Sequence, residues 1–361
     1  MAIVEMANTA DDSGVPPKRE KPACEPALGP RRSRIGRLLG VQVLGTGSSF
    51  PDQRIRNEDL AVLGYDADWI LQRTGILERR HAPSDMATSD LAVEAARRCI
   101  AAAAVDPDEI DLVLVGTLTP DMLIPATASI VQERLGLSAP AFDIQAACTS
   151  FVYSMITGMQ YVATGCSRRA LVIGADCNSR MVNPADRQTY PLFGDAAGAV
   201  LLGPGGDRQG IVSFAVGSDG SGAGLLCRPM GGSREPFSAA PESEGRQFLH
   251  MEGRPVFKWA IRMLRETIGE VLQSAEMTLD QVDLIVFHQA NMRIITAAVE
   301  ELGIDPSRVF NNLERFGNTS SASIPLALDE AFRQGRIQPG NHILFSGFGA
   351  GLAWGTVLLR W

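Results

Sequence analysis

The chain has 361 residues, of which 45% are apolar and 20% charged, and it carries a formal net charge of −8. This composition is typical of a globular protein, and the length predicts two domains or one duplicated domain. No apolar run approaches the roughly 18 residues of a membrane span, and the first residues lack the apolar core of a secretory signal. The acidic balance argues against nucleic-acid binding.

The six cysteines are scattered without a CxxC spacing, and the chain has only four histidines. Structural metal sites draw on clustered Cys and His ligands. We therefore expect no metal and no resident cofactor. A reduced, cytoplasmic setting fits this pattern, with most cysteines acting as small buried hydrophobes.

Residues 1–38 contain five prolines, few large apolar residues and no periodicity. This segment is predicted to be a disordered N-terminal tail, and a docking or targeting role for it stays open. From Val41 the pattern becomes α/β. Strands are predicted at VQVLGTG (41–47), DLVLVG (111–116) and ALVIGA (170–175).

Two helices are clear in the pattern. The first lies within 87–107, with Thr88 or Ser89 as its N-cap and Pro107 beyond its end. The second covers 255–273, and its predicted apolar stripe consists of Phe257, Ile261, Leu264 and Ile268.

The order strand, loop entering a helix, strand occurs twice along the chain. The first copy reads DEIDLVLVGT, FDIQAACTSF, RRALVIGAD, and the second reads DQVDLIVFHQ, NNLERFGNTSS, GNHILFSGFG. Leu112 and Leu171 are 59 residues apart, as are Leu284 and Ile343. This repeat predicts two similar α/β halves, 39–208 and 209–361, that meet at a pseudo-twofold axis.

Loops beyond strand ends are where sites of α/β proteins lie. Cys148 lies where a strand runs into a helix, and the helix N-terminus is expected to lower the pKa of its thiol. His288 ends a strand, and Asn318 lies in a turn entering a helix. Taken singly, each also fits a structural role, as a buried thiol, a hydrogen-bonded core histidine and a turn asparagine. Their equivalent placement across the repeat favours one joint site.

Two further segments have competing interpretations. The Gly-rich stretch 346–355 lacks the GxGxxG order, so we reject a nucleotide loop; small residues there allow backbone N–H groups to approach a substrate oxygen. Lys258, Arg262 and Arg265 form one basic stripe of a helix, which is either a solvated face or a docking surface.

Six segments together resemble one known family. They are WILQRTGILERR, QAACTSF, NPADRQTYPLFGDAAGA, FHQANMRII, ERFGNTSSASIPLALDEA and SGFGAGLAWG, and the match spans 41–361. The chain resembles the β-ketoacyl-acyl-carrier-protein synthase III family of the thiolase superfamily. The resemblance implies a homodimer of five-layer αβαβα sandwiches. It also implies a decarboxylating condensation of an acyl-CoA starter with malonyl-acyl carrier protein through an acyl-cysteine.

The resemblance also assigns residues by motif. The catalytic triad falls on Cys148, His288 and Asn318, and the oxyanion hole falls on the backbone N–H groups of Cys148 and Ala350, where the family usually has Gly. The expected CoA contacts are Trp69, Arg73, Arg187 and Asn291.

Carrier-protein docking and starter choice follow from the same comparison. Lys258 and Arg293 match the docking patch, but Glu300 and Glu301 stand where the family pattern has a basic pair, so Arg262 and Arg265 are expected to compensate. Ile124 is expected to reach across the dimer and wall the acyl channel.

Other functions are weighed against this one. A specialised condensing or acyl-transfer enzyme of a secondary pathway stays open, because of the tail, Glu300-Glu301 and the long stretch 229–248. A papain-type Cys-His-Asn hydrolase is disfavoured, because its C-G-[SA]-C-[WY] motif is absent. A nicotinamide oxidoreductase is disfavoured by the missing Rossmann fingerprint, and a catalytically silent member by the complete triad.

Overall fold

The computed structural model describes residues 33–64, 66–239 and 244–361. Its strands are β1 (Arg34–Leu39), β2 (Val41–Ser49), β3 (Arg54–Arg56), β4 (Glu78–Arg80), β5 (Leu112–Gly116), β6 (Ala141–Ile144), β7 (Ala170–Cys177), β8 (Asp195–Pro204), β9 (Gly210–Ser218), β10 (Leu226–Cys227), β11 (His250–Met251), β12 (Leu284–Phe287), β13 (His342–Gly349) and β14 (Ala353–Arg360). Its helices are α1 (Ala67–Thr74), α2 (Thr88–Ala103), α3 (Thr127–Arg134), α4 (Ser150–Ala163), α5 (Gly253–Ser274), α6 (Met292–Leu302), α7 (Leu313–Phe316) and α8 (Ser323–Arg333). Within these ranges no helix is long and apolar enough to cross a bilayer.

Two five-stranded sheets dominate the fold, in the orders β2-β8-β7-β5-β6 and β1-β9-β14-β13-β12. The predicted strand pairs are neighbours: β5 runs parallel to β7, with Leu112 opposite Ala170, and β12 runs parallel to β13, with Leu284 opposite Ile343. Beyond β12, Ile285 forms a parallel bridge with Val309, at the place β6 takes in the first sheet. The two halves therefore repeat one strand order, as the spacing predicts.

Helices α4 and α8 lie between the two sheets. Their apolar faces share one core with both sheets, in which Phe151, Met155 and Leu328 are fully shielded from solvent. A second core joins α2 and α3 to the outer face of the first sheet, and a third joins α5 and α6 to the outer face of the second. The molecule thus has five layers, helix–sheet–helix–sheet–helix, and the predicted α/β sandwich is confirmed.

The tail prediction needs a correction. Residues 1–32 lie outside the described residues, but Arg34–Leu39 forms β1, which pairs antiparallel with β9 at the edge of the second sheet. The predicted boundary at 38 is therefore wrong. Gly36 packs against the Phe214 ring, where a Cβ would come within 2.6 Å of a ring carbon, so this segment is shaped by its tertiary contact and not by a periodicity of its own.

Two helix details also differ from the prediction. The N-cap of α2 is Ala87, whose N–H donates to the Asp90 carboxylate at 2.7 Å, because the Thr88 hydroxyl donates to Thr119 O instead. On α5, Leu264 and Ile268 are buried as predicted, whereas Phe257 and Ile261 are only partly buried. The buried face turns towards Trp259 and Met263, which contact the second sheet.

Candidate active site

Cys148, His288 and Asn318 line one cavity of about 140 Å³ between the two halves. The remaining lining is mostly apolar and consists of Leu192, Phe193, Leu226, Met251, Gly253, Val256, Phe257, Ala290, Asn291, Ile294, Phe348 and Gly349. The three side chains that the sequence singled out are therefore brought together by the repeat. The cavity suits an apolar chain that carries a reactive carbonyl at its end.

Cys148 lies in a short 3-10 turn, Ala147–Thr149, that runs directly into α4. Its thiol is buried and accepts a hydrogen bond from the Ser320 hydroxyl, with an Oγ–Sγ distance of 3.3 Å. Burial, together with the nearby Asp176, raises the pKa of this thiol to about 12. The predicted lowering of the Cys148 pKa is therefore wrong, because desolvation of a thiolate outweighs the contribution of the helix N-terminus.

His288 follows β12 directly and is almost fully buried. Burial lowers the pKa of its imidazole to about 3, so the ring is neutral at physiological pH. Its Nδ1 lies 2.6 Å from the Ser323 hydroxyl oxygen, which also accepts the Gln289 backbone N–H at 3.4 Å. In the tautomer whose Nδ1 accepts from the Ser323 hydroxyl, the ring proton lies on Nε2.

Asn318 is held on both sides by backbone. Its N–H donates to Leu192 O at 2.8 Å, and its carbonyl accepts the Gly194 N–H at 3.0 Å. The side-chain Oδ1 accepts the Ser320 N–H at 2.9 Å. This bond sets the orientation of the amide and leaves its Nδ2 hydrogens available to a ligand in the cavity.

Asp176 ties the two halves together behind the site. One of its oxygens accepts from Thr117 and Thr119 in the first half, and the other accepts the Ser321 N–H at 2.9 Å from the second half. Gly174, on the same strand, lies so close to Ser321 that a Cβ there would come within 2.3 Å of its carbonyl oxygen. The loop that carries Asn318 is thereby fixed against the half that carries Cys148.

The four expected CoA contacts gather around α1 and the start of α6. The Arg73 guanidinium lies 5.7 Å from the Trp69 ring centre. Asn291 donates from Nδ2 to Arg73 O at 3.2 Å and also lines the cavity. The Arg187 guanidinium lies against Gly64, just before α1. These residues form a cationic and aromatic rim next to the cavity, although only Asn291 lines it.

The predicted docking residues divide into two groups. Arg265 donates to Glu301 at 2.7 Å and lies 4.0 Å from Glu266, which is also 3.9 Å from Arg262. The carboxylates of Glu266 and Glu301 thus offset the positive charges of Arg262 and Arg265. Those two arginines were expected to compensate for Glu300-Glu301 in carrier-protein docking. Arg293 lies over the ring of Phe257, a residue of the cavity lining, at 5.7 Å, and Lys258, the next residue of α5, is exposed.

The predicted oxyanion-hole residue Ala350 and the predicted acyl-channel residue Ile124 also lie outside the cavity lining. Gly349 lies against the Cys148 backbone nitrogen, where a Cβ would come within 2.8 Å, and Ala350 is the next residue. An oxyanion hole formed with Ala350 remains a prediction. Ile124 has 86% of its surface exposed in the single chain and walls nothing by itself.

Sequence reasoning missed Ser320, Ser323 and Asp176. The run of serines after Asn318 was the available signal for the first two, but hydroxyls are also common in turns entering helices. Asp176 resembles any polar residue at a strand end. In the described part of the chain, no group of three or more His, Cys, Asp or Glu side chains could hold a metal ion.

Comparison with known proteins agrees with this geometry. The family described as 3-oxoacyl-[acyl-carrier-protein (ACP)] synthase III matches residues 142–220, and its C-terminal part matches 272–361. The chain is 52% identical to the beta-ketoacyl-[acyl-carrier-protein] synthase III of Rhodopirellula baltica, over 91% of this chain and all of that protein. The chain belongs to this family.

Solved structures give the same result. The 3-oxoacyl-[acyl-carrier-protein] synthase III of Aquifex aeolicus superposes with a TM-score of 0.82 at 38% identity, covering 89% of this chain and 100% of that one. The priming beta-ketosynthase of the R1128 polyketide pathway superposes with a TM-score of 0.84 at 36% identity, covering 91% and 98%. The thiolase-like fold and the assignment as a condensing acyltransferase are confirmed.

Proposed function

We propose that this chain condenses an acyl-CoA starter with malonyl-acyl carrier protein, releasing CO2 and giving 3-oxoacyl-acyl carrier protein, the first elongation of fatty acid synthesis. The observation that carries the proposal is the shared cavity of a buried thiol, a neutral imidazole and an oriented amide. The related synthases with matching length support the choice of substrates.

The first half-reaction is thioester exchange on Cys148. Its sulfur attacks the acyl carbonyl carbon, the bond from that carbon to the CoA sulfur breaks, and CoA leaves as the free thiol. The proton lost by Cys148 balances the proton gained by CoA. Backbone N–H groups of Cys148 and Ala350 hold the carbonyl oxygen while it carries charge.

The second half-reaction is decarboxylation and carbon–carbon bond formation. Loss of CO2 from the malonyl group leaves an enolate, whose oxygen accepts hydrogen bonds from His288 Nε2 and Asn318 Nδ2. The enolate carbon attacks the acyl carbonyl on Cys148, and the sulfur of Cys148 leaves. A neutral histidine is needed here as a donor, which fits the lowered pKa of His288.

Different residues around the cavity bind CoA and the carrier protein. Trp69, Arg73, Arg187 and Asn291 bind CoA, whose adenine stacks and whose phosphates pair with guanidinium groups. Lys258 and Arg293 contact the acidic carrier protein, with Arg262 and Arg265 contributing less because of their neighbouring carboxylates. No resident cofactor or metal enters either half-reaction, and the expected setting is cytoplasmic.

A second copy of the chain completes the acyl channel. Met122, Leu123 and Ile124 are 49%, 80% and 86% exposed in one chain, an apolar run that a homodimer would cover. Ile124 then forms the end of the partner subunit's acyl channel.

Ile124→Phe should shift the preferred starter to shorter chains and Ile124→Ala to longer ones, as overpacking costs about 1–3 kcal/mol. Starter profiles identical to the parent in both variants would place the channel end elsewhere.

Intact-protein mass spectrometry after incubation with a panel of acyl-CoAs tests the function directly. One acyl mass increment on the parent and none on Cys148→Ala is the expected result, and the increment identifies the starter. Addition of malonyl-acyl carrier protein should then remove the increment and yield 3-oxoacyl-carrier protein. An adduct that persists on Cys148→Ala would overturn the assignment.

The specialised enzyme of a secondary pathway has one observation in its favour, which is the similarity to the polyketide priming ketosynthase. The same mass-spectrometric experiment separates the two. Turnover with malonyl-carrier protein of fatty acid synthesis supports the main proposal, and turnover restricted to another carrier protein supports the alternative.

A further inference from the structure

Ser320 is the residue on which both the nucleophile and the catalytic asparagine depend. Its side chain is fully buried, and its hydroxyl donates to the Cys148 sulfur at 3.3 Å. Its backbone N–H donates to Asn318 Oδ1 at 2.9 Å. One residue therefore contacts the reacting sulfur with its side chain and sets the amide with its backbone.

The side chain of Ser320 is not explained by the turn in which it lies. Ser320 has φ +51°, a left-handed conformation that costs energy for a residue with a Cβ. The equivalent residue before α4 is Ala147, with φ +49°, so the turn is built equally well without a hydroxyl. Among the described residues, the structure gives the Ser320 hydroxyl no polar partner other than the Cys148 sulfur.

We propose that Ser320 is a further catalytic residue, whose hydroxyl stabilises negative charge on the Cys148 sulfur. The charge forms twice, when the thiol loses its proton during acyl loading and when the sulfur leaves after condensation. A hydrogen bond to a charged acceptor in a buried site is stronger than one to a neutral acceptor. The proposal rests on Cys148 as the acylated residue of the proposed function.

Two titratable side chains near Cys148 do not stabilise its thiolate. Burial raises the pKa of the thiol, and the nearby Asp176 carboxylate raises it as well. His288 lines the same cavity but is neutral. Neither group favours the thiolate, whereas the hydrogen bond from the Ser320 hydroxyl and, to a smaller extent, one from the Cys148 backbone lower the pKa of Cys148.

The pH dependence of Cys148 alkylation by iodoacetamide tests the proposal. The rate is followed on the Cys148 peptide by mass spectrometry, since Cys166 is exposed and reacts as well. In Ser320→Ala, the plot of log rate against pH should move by about one to two units to higher pH, a roughly 10- to 100-fold slower reaction at a given pH. Ser320→Gly suits the left-handed backbone and should give the same shift if Ser320→Ala folds poorly.

Ser321→Ala is the matched control. The Ser321 hydroxyl donates to Ala147 O at 3.2 Å and does not contact the sulfur, so its loss should leave the alkylation profile unchanged.

Ser320→Ala should also slow acyl loading without slowing CO2 release from malonyl-carrier protein on preloaded enzyme, because the backbone N–H to Asn318 remains.

Two results would overturn the proposal. One is a parent-like alkylation profile in both Ser320 variants, and the other is an equal shift in Ser321→Ala. Since alkylation requires neither acyl-CoA nor carrier protein, either outcome is distinguishable from failure of the proposed condensation, which would appear as absent acyl loading in the parent.

Discussion

The two halves of the molecule share a backbone plan but place different side chains at its centre. In the first half, Gly116 ends β5, and α4 packs so closely that a Cβ on Gly116 would come within 2.8 Å of the Ser150 backbone. In the second half, His288 takes the equivalent place after β12, and its Nδ1 lies 2.6 Å from the Ser323 hydroxyl oxygen at the start of α8. Gly116 lets the end of β5 contact the start of α4 directly, because it has no side chain. In the second half, the His288 imidazole bridges the end of β12 and the start of α8.

The two halves also differ in the side chains of the short turns that precede α4 and α8. Cys148 follows the left-handed Ala147, and Ser321 follows the left-handed Ser320. Cys148 lines the cavity, whereas the Ser321 hydroxyl is turned to the backbone of the first half. The duplication therefore supplies two equivalent backbone arrangements, of which one carries Cys148, the proposed nucleophile, and the other carries the proposed donors His288 and Asn318.

The largest expected effect comes from exchanging the two equivalent side chains. Cys148→Ser should abolish acyl loading, because a serine hydroxyl is a far weaker nucleophile towards thioesters without a base beside it. The double variant Cys148→Ser/Ser321→Cys should stay inactive, since position 321 does not line the cavity. Mass spectrometry with acyl-CoA measures both, and an acyl adduct on the thiol introduced at position 321 would show that the halves are interchangeable.

His288→Ala should give the next largest effect and separate the two half-reactions. Loss of one donor to the enolate should slow condensation by about 10²–10³-fold. Acyl loading on Cys148 should continue, because the neutral imidazole is not its base. Single-turnover kinetics of each half-reaction provide the measurement, and equal losses in both would contradict this division of roles.

The buried imidazole also predicts a pH dependence of stability. The folded pKa of His288 is about 3, below its ordinary 6.5, so the unfolded chain takes up this proton first and stability falls as pH drops below about 6.5. Between pH 7 and pH 5, the parent should lose about 2 kcal/mol more of its free energy of unfolding than His288→Gln.

Urea unfolding at the two pH values measures this difference. His81, whose pKa burial also lowers, is present in both proteins and cancels in the comparison. Identical losses in parent and variant would mean that the folded imidazole is protonated.

The smallest expected effect concerns the surface at the cavity mouth. Arg293→Glu should raise KM for malonyl-acyl carrier protein by roughly 3- to 10-fold, while acyl-CoA loading barely changes. In the parent the same KM should rise with salt. Arg208→Glu, an exposed charge reversal between β8 and β9, is the control. A salt-independent KM, together with no effect of Arg293→Glu, would place docking on another surface.

Much of this organisation follows from the sequence alone. Runs of apolar residues such as those of β5 and β12 specify buried strands, and their spacing to β7 and β13 specifies the repeat. The motifs around Cys148, His288 and Asn318 specify the family. Local signals suffice here because strand burial and turn chemistry are encoded by neighbouring residues.

Contacts between distant segments were decided only by the tertiary structure. β1 is recognisable only beside β9, and the buried face of α5 is set by the second sheet. The electrostatics of the site belong to the same class: the high pKa of Cys148 and the low pKa of His288 arise from desolvation, which no local pattern encodes. Ser320 and Ser323 gain their roles in the same way, because a hydroxyl in a turn acquires a function only when folding places a sulfur or an imidazole opposite it.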